Sequence, residues 1–336
     1  MKKIKIAQIG IGHNHGEAKM RALRELTDYF EVVGVCESDP VWYEKRKDLE
    51  AYKGLKFMSE EELLNTPGLE AVAIETDGKY LISTALRCAE KGLHLHMDKP
   101  GGEDYDSFVK LCGICKEKDL AFQSAYIYRY NPAVRFCVDA VRNNWLGDIF
   151  EIHSVMSRDD SNNDSYREWL SQFKAGAFYI FAGYLIDIII QMIGEPDKIS
   201  SFLKKTRDDK LIDNGLAVLE YPRATATVRV SVAEISGYDY RRFIVCGTRG
   251  SLELCPIELR GPEIGEPLKV RLTLKQDCGP YTAGTHIIEC DALGHRYARQ
   301  LVDFAKIVRK EVENPFPLEH ELKLHKNLLK ACGVIQ

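Results

Sequence analysis

The chain has 336 residues, 45% hydrophobic and 29% charged, the balance of a globular protein long enough to bury two cores. A formal net charge of −4 gives no electrostatic case for nucleic-acid binding. Ten scattered cysteines lack the dense spacing of a disulfide scaffold, and Lys2-Lys3 leads into a strand pattern rather than an apolar signal core, so a reducing cytoplasm is expected.

An alternating strand, 3–9, runs into Gly10-Ile11-Gly12-His13-Asn14-His15-Gly16. A helical pattern over 17–29 and an apolar run over 31–36 follow, closed by Glu37. Strand, glycine turn, helix, strand and acid is the order of a dinucleotide-binding unit. Gly10 permits the tight turn, Gly12 lets the backbone approach a pyrophosphate, and the helix N-terminus offers free N–H groups to that anion. The third glycine is displaced: His15 stands where the strict motif has glycine, and Gly16 follows it. Glu37 suits the two ribose hydroxyls of NAD and would repel the 2′-phosphate of NADP. Ser38-Asp39-Pro40 supplies no cation, although Lys45 and Arg46 are near enough in sequence to fold back. NAD is the expected cofactor, with NADP the alternative.

Helices are predicted over 44–52, 59–64, 80–91 and 106–116, and strands over 55–57, 71–74, 93–97 and 120–122. Ser59 with Glu62 forms a capping box. Alternation up to residue 124 means a parallel sheet covered on both faces, with ligands gathering at the strands' carboxyl ends. Three such ends stand out: Gly10–Gly16, Glu75-Thr76-Asp77 and Asp98-Lys99-Pro100. Pro100 restricts Lys99 towards an extended backbone, so a lysine beside a carboxylate is held at a strand end. A surface turn is the other reading of Asp-Lys-Pro-Gly.

After 124 the pattern changes. Asn131-Pro132 opens a helix to 143, and strands are predicted over 149–157, 199–204, 216–221, 225–233, 243–246, 251–254 and 269–275. Cys246–Ser251 reads as a hairpin turn, and 225–233 alternates as a strand with one wet face. Helices over 297–312 and 318–332 close the chain. The expected organisation is an α/β Rossmann domain, 1–124, followed by an α+β domain, 125–336, with a large, mostly antiparallel open sheet. The segment 175–194 is very apolar, but Asp187 and Gln191 interrupt it, so it reads as a buried helix and no membrane association is expected. Loops are expected over 157–173 and 277–291.

These marks, in this order, resemble the glucose–fructose oxidoreductase/inositol dehydrogenase/MocA family of dehydrogenases. The resemblance rests on Gly10-Ile11-Gly12, Glu37, Thr76, Asp98-Lys99-Pro100 where the family has Glu-Lys-Pro, Arg129-Tyr130-Asn131-Pro132, Gly147-Asp148-Ile149-Phe150, Asp187 with Gly194-Glu195-Pro196, and Cys246–Ser251. It implies hydride transfer between nicotinamide and a hydroxyl of a sugar, cyclitol or related polyol. It implies cofactor contacts from Gly10, Gly12, His13, Asn14, Glu37, Thr76, Asp98 and Lys99, and a homodimer or homotetramer built on the second-domain sheet. The family helix presents Asp, then His, then Asp; here those positions are Ile180, Tyr184 and Asp187. They share one helical face, so Tyr184 points where the histidine would. An unperturbed tyrosine, with a pKa of about 10, is a poor base near neutrality, but a nearby cation lowers it. Lys99 is the expected cation and also orients the alcohol oxygen; Asp187 holds the helix or a sugar hydroxyl. Loss of the histidine and one aspartate leaves an inactive NAD-binding sensor or partner protein as the alternative, and NAD-assisted glycoside cleavage as a third.

Tyr126 and Arg129 are expected at the substrate mouth, with Arg129 also able to pair with a carboxylate across the domains, and His153 is expected to line the substrate cleft. Cys112 and Cys115 read as helix packing. His13 and His15 are placed to hydrogen-bond cofactor or substrate, or to face solvent. His94 and His96 read as buried or edge residues, and Asp159, Asp160 and Asp164 as a solvated loop. No metal is assigned.

Overall fold

The computed structural model describes residues 2–13, 15–260, 265–292 and 294–336. The chain divides into two compact units: Met1–Tyr126 with His295–His325, and Ile127–Gly294 with Lys326–Gln336. The expected boundary after 124 falls two residues early. The return of 295–325 to the first unit was not anticipated, because those residues had been placed with the second.

Unit 1 carries five parallel strands in the order β2-β1-β3-β4-β5. They are β1 (Ile4–Ile9), β2 (Phe30–Cys36), β3 (Ala71–Ile74), β4 (His94–Met97) and β5 (Phe122–Ser124). The side chains of β1, β3, β4 and β5 are almost wholly buried, as a sheet covered on both faces requires, while the edge strand β2 is partly exposed at Glu31, Val32 and Val33. Helices α1 (Gly16–Glu25), α2 (Pro40–Arg46), α3 (Glu60–Leu64), α4 (Leu81–Glu90) and α5 (Tyr105–Glu117) connect them. The capping box of α3 is present in full, with Ser59 and Glu62 satisfying each other's amides. Residues 55–57 do not form a strand; only Phe57 makes a bridge, to Val35. Cys112 and Cys115 are buried on α5 within the unit's apolar core.

Unit 2 contains an eight-stranded sheet in the order β13-β12-β11-β10-β6-β9-β8-β7. The strands are β6 (Ile149–Ser157), β7 (Lys198–Lys204), β8 (Asn214–Glu220), β9 (Thr225–Ser231), β10 (Arg242–Gly247), β11 (Gly250–Leu254), β12 (Leu268–Leu274) and β13 (Gly284–Cys290). All pairings are antiparallel except β6 with β9. Strand β13 and helix α7 (Asp164–Leu170) occupy segments expected to be loops. Residues at 226, 228 and 230 are buried while 225, 227 and 229 are not, which is the one-wet-face pattern. Helices α6 (Pro132–Arg142) and α8 (Gly176–Ile193) pack on the sheet. Helix α8 has the length and apolarity of a membrane span, but all of its residues from Gly176 to Met192 are buried, so it is the core of the unit. The last helices are α9 (Ala298–Val308) and α10 (Leu318–Ala331).

Gly10 is the tightest point of unit 1. Its φ is +92°, and a Cβ there would lie 2.3 Å from the Thr76 amide nitrogen and 2.4 Å from the Glu75 carbonyl carbon. Backbone bonds from Gly10 N to Cys36 O (2.8 Å) and from Glu75 N to Ile9 O (2.7 Å) hold the three strand ends together. Gly10→Ala combines left-handed strain with a clash against immovable backbone, and is expected to destabilise by roughly 2–5 kcal/mol. A thermal melt of the variant beside the wild type checks this; an unchanged midpoint would mean the turn is looser than described.

Candidate functional site

The glycine turn is braced from below. Gln8, fully buried on β1, donates through Nε2 to the carbonyls of Gly10 (2.9 Å) and Gly16 (3.2 Å). Above, the Trp42 ring covers Gly12, where a Cβ would lie 2.6 Å from its Cγ. Glu37 closes the turn: its Oε2 accepts the amides of Ile11 (2.7 Å) and Gly12 (3.2 Å), and its Oε1 accepts the amide of Asp39 (2.9 Å). Lys45 and Arg46 do not fold back onto Glu37 but lie over the Trp42 ring. Asn14 lies outside the described residues.

Beside this turn is a cleft of about 410 Å³, whose lining includes Gly10, Glu37, Asp39, Trp42, Thr76 and Arg87. Glu60 and Asp77 also line it, making four carboxylates, and Arg87 is held by Glu60 through Nη2 at 2.8 Å. The buried Thr76 Oγ1 has no hydrogen-bond partner among the described residues. Helix α1 starts after His15 with no side-chain cap.

The ends of β3 and β4 carry a buried polar network that the sequence reading missed. Lys19 has no exposed surface; its Nζ lies 2.7 Å from Glu75 Oε1 and 3.1 Å from His96 Nδ1. Lys19 falls in the buried stripe of α1 with Gly16, Met20 and Leu23, and that break in amphipathicity was the available signal. Asp98, also fully buried, faces His13 Nδ1 at 2.7 Å and His15 Nδ1 at 3.1 Å. Burial opposes ionisation of Asp98, but the two imidazoles overcome it and hold its carboxyl well below the usual range. Burial raises Glu75 to about 7 against the pull of Lys19. Burial lowers His15 to about 3 despite the pull of Asp98. Lys99 is buried at the same strand end, and Tyr126 is buried just past β5.

In unit 2, Ile180, Tyr184 and Asp187 are all buried on α8. The Tyr184 ring lies 5.1 Å from that of Tyr128, whose hydroxyl is 3.4 Å from Arg241 Nη1. Arg158, Arg241 and Arg260 surround Tyr238, a cluster for which the sequence held no local signal. Asp187 accepts Arg129 Nη2 at 2.8 Å, Arg129 Nε at 3.1 Å and Gln191 Nε2 at 2.9 Å. The expectation of Arg129 at a substrate mouth or pairing across domains is therefore corrected: its carboxylate partner is in its own unit, and both residues are buried. Asp187 is thus engaged by Arg129 and by Gln191 of its own helix. His153 is corrected too. It lies beside Thr227 (3.0 Å) and Glu151 (3.0 Å), opposite in parity to the buried Ile152 and Val228, so it faces away from α8.

Two family profiles match the chain: the oxidoreductase family with NAD-binding Rossmann fold over residues 4–126, and the GFO/IDH/MocA C-terminal domain over 134–253. The chain belongs to the GFO/IDH/MocA family. An uncharacterized oxidoreductase of Escherichia coli, YhhX, is 27% identical over 60% of this chain and 57% of its own length. The D-xylose 1-dehydrogenase (NADP(+)) 2 of Haloferax volcanii is 27% identical over 59% of this chain and 60% of its own length. The solved structure of KijD10, a 3-ketoreductase from Actinomadura kijaniata with NADP and TDP-benzene, has the same fold. Its TM-score is 0.80 at 17% identity, covering 97% of this chain and 96% of that one. The NAD(P) that this GFO/IDH/MocA family binds fits unit 1: the uncapped helix start would hold a pyrophosphate, and the cleft, with a Thr76 hydroxyl that has no partner among the described residues, would hold a nucleoside. When bound, the group supplies or receives a hydride.

Breaking the Arg129–Asp187 pair by Arg129→Met strands a buried carboxylate and is expected to cost roughly 3–5 kcal/mol, with much of it recovered in Arg129→Met/Asp187→Leu. Equilibrium unfolding of the three proteins checks this; equal losses in single and double variants would deny the coupling. Burial also lowers His325, packed 4.1 Å from Phe108, to about 3. The unfolded histidine, near 6.5, then binds protons that the folded one does not, so this contribution to stability is lost as pH falls below about 6.5. His325→Phe should flatten the pH dependence of unfolding between about pH 6.5 and 5 by up to ~1.4 kcal/mol per pH unit; an unaltered slope would contradict the burial.

Proposed function

We propose that the protein is an NAD-dependent oxidoreductase transferring a hydride between nicotinamide and a hydroxyl of a sugar, cyclitol or related polyol. The carrying observation is the glycine turn with its acidic cleft in unit 1. A 2′-phosphate would meet Glu37, Asp39, Glu60 and Asp77, and the lining cation Arg87 is engaged by Glu60. That charge pattern favours ribose hydroxyls over phosphate.

Lys99 is proposed to hold the alcohol oxygen and Tyr184 to take its proton. The Tyr184 ring packs on that of Tyr128, whose hydroxyl lies 3.4 Å from the Arg241 guanidinium that Glu258 also engages. The substrate class is drawn from the family resemblance and from the D-xylose dehydrogenase relative. The assignment extends to a cytoplasmic homodimer or homotetramer. In its favour, Phe202 and Ile287 are exposed on the sheet face opposite the buried residues.

The test is NADH formation with a panel of sugars, cyclitols and polyols. Turnover that falls by at least about a hundredfold in Tyr184→Phe and in Lys99→Met supports the assigned roles, since general acid–base groups contribute roughly 10²–10⁴. Calorimetry with NAD and NADP tests the cofactor. NAD is expected to bind more tightly, and Glu37→Ala to weaken it by roughly 10–100-fold, the value of hydrogen bonds to a charged acceptor. Tight NAD binding with no turnover on any substrate would instead support the sensor reading, which the Ile180 and Tyr184 departures favour.

A further inference from the structure

Three side chains at the end of β4 and the start of α1 converge on one point. His13 Nδ1, His15 Nδ1 and a carboxylate oxygen of Asp98 lie within 4.8 Å of one another. The contacts are short: 2.7 Å from His13 to Asp98 Oδ2, and 3.1 Å from His15 to the same oxygen. Both rings therefore bring the same nitrogen to one carboxylate oxygen. His13 Nδ1 also lies 3.2 Å from the His15 amide, which donates to it. As ligands, the two Nδ1 atoms and this carboxylate oxygen would each turn a lone pair to one central ion.

From this arrangement we infer that His13, His15 and Asp98 form a binding site for one divalent first-row transition ion of the zinc class. Two imidazoles and a carboxylate are the ligand set of open metal sites, which leave a position for water or a substrate oxygen. Metal–nitrogen and metal–oxygen bonds of about 2.0–2.2 Å place tetrahedral ligand atoms roughly 3.3–3.6 Å apart. The observed separations reach that spacing with shifts of a few tenths of an ångström to about one. The neighbouring charges are of both signs: the buried Lys99 acts on His15, Lys19 is engaged by Glu75 rather than Asp98, and Glu75 Oε2 is a second buried carboxylate oxygen without a hydrogen-bond partner among the described residues. The spacing explains the displaced third glycine, because His15 occupies its position and supplies a ligand instead. The sequence reading assigned no metal because it considered the histidines of the turn without Asp98. Bound there, the ion acts as a Lewis acid on an oxygen at its open position.

The test is titration of the metal-stripped full chain with Co²⁺. One ion per chain is expected, with the visible ligand-field bands of nitrogen and oxygen coordination and no thiolate charge-transfer band, and Zn²⁺ should displace it. Asp98→Asn and His15→Gln should each weaken binding by at least roughly tenfold. Asp98 is fully buried, and its variant can fail to fold; His15, with about a quarter of its side chain exposed, is the safer variant, and circular dichroism verifies its fold. Absence of saturable binding, a thiolate band from the ten cysteines, or unchanged affinity in folded His15→Gln would each overturn the assignment. The readout is independent of turnover, so it stands or falls separately from the oxidoreductase assignment.

Discussion

The close passage of the first turn over the end of β3 is the constraint on which unit 1 depends. Position 10 has backbone where a side chain would go, so β1 and β3 end at the same level and their loops diverge on either side. Towards β2, the divergence opens the acidic cleft between Glu37 and Thr76. Towards β4, it brings the α1 start against Asp98. A bulkier residue would force these ends apart and disturb both regions. The fold thus converts one missing Cβ into two chemically different neighbourhoods.

Buried charge is treated differently in the two units. Arg129 and Asp187 neutralise each other beside a mostly apolar helix, and Gln191 adds a further donor. Such a pair contributes specificity more than net stability, because desolvation offsets most of the attraction. Unit 1 instead concentrates Lys19, Glu75, His96, Asp98, His13 and His15 at its strand ends, where Glu75 Oε2 and His96 Nε2 have no hydrogen-bond partner among the described residues. An unsaturated network of this kind is expensive to bury and is the mark of a place that binds something.

Local pattern revealed much of this molecule. Alternation, capping and glycine placement located the strands of the parallel sheet, the α3 capping box and the buried character of α8, because each is written in residues a few positions apart. Other features were hidden for physical reasons. The return of 295–325 to unit 1 depends on tertiary packing that leaves no periodic trace. His153 was placed on the right strand but the wrong face, since face depends on pairing parity with Thr227, far along the chain. Asp187 was located on the right helix, while its partner Arg129 was a sequence-distant residue whose guanidinium could equally have faced elsewhere. The sheet-edge strand β13 and the short α7 lay in polar segments where neither period was strong.

The departures at 180 and 184 can be weighed against where imidazoles occur. Unit 2 holds only His153 and His286. The first faces away from α8, and the second lies on the edge strand with its Nε2 2.8 Å from the Thr282 carbonyl oxygen. With Ile180 apolar and Asp187 engaged by Arg129, α8 has no histidine and no available carboxylate. The titratable side chain at position 184 is a phenol, packed against Tyr128, whose hydroxyl is near an Arg241 that Glu258 engages. In the turn of unit 1, His15 stands where the dinucleotide motif has glycine.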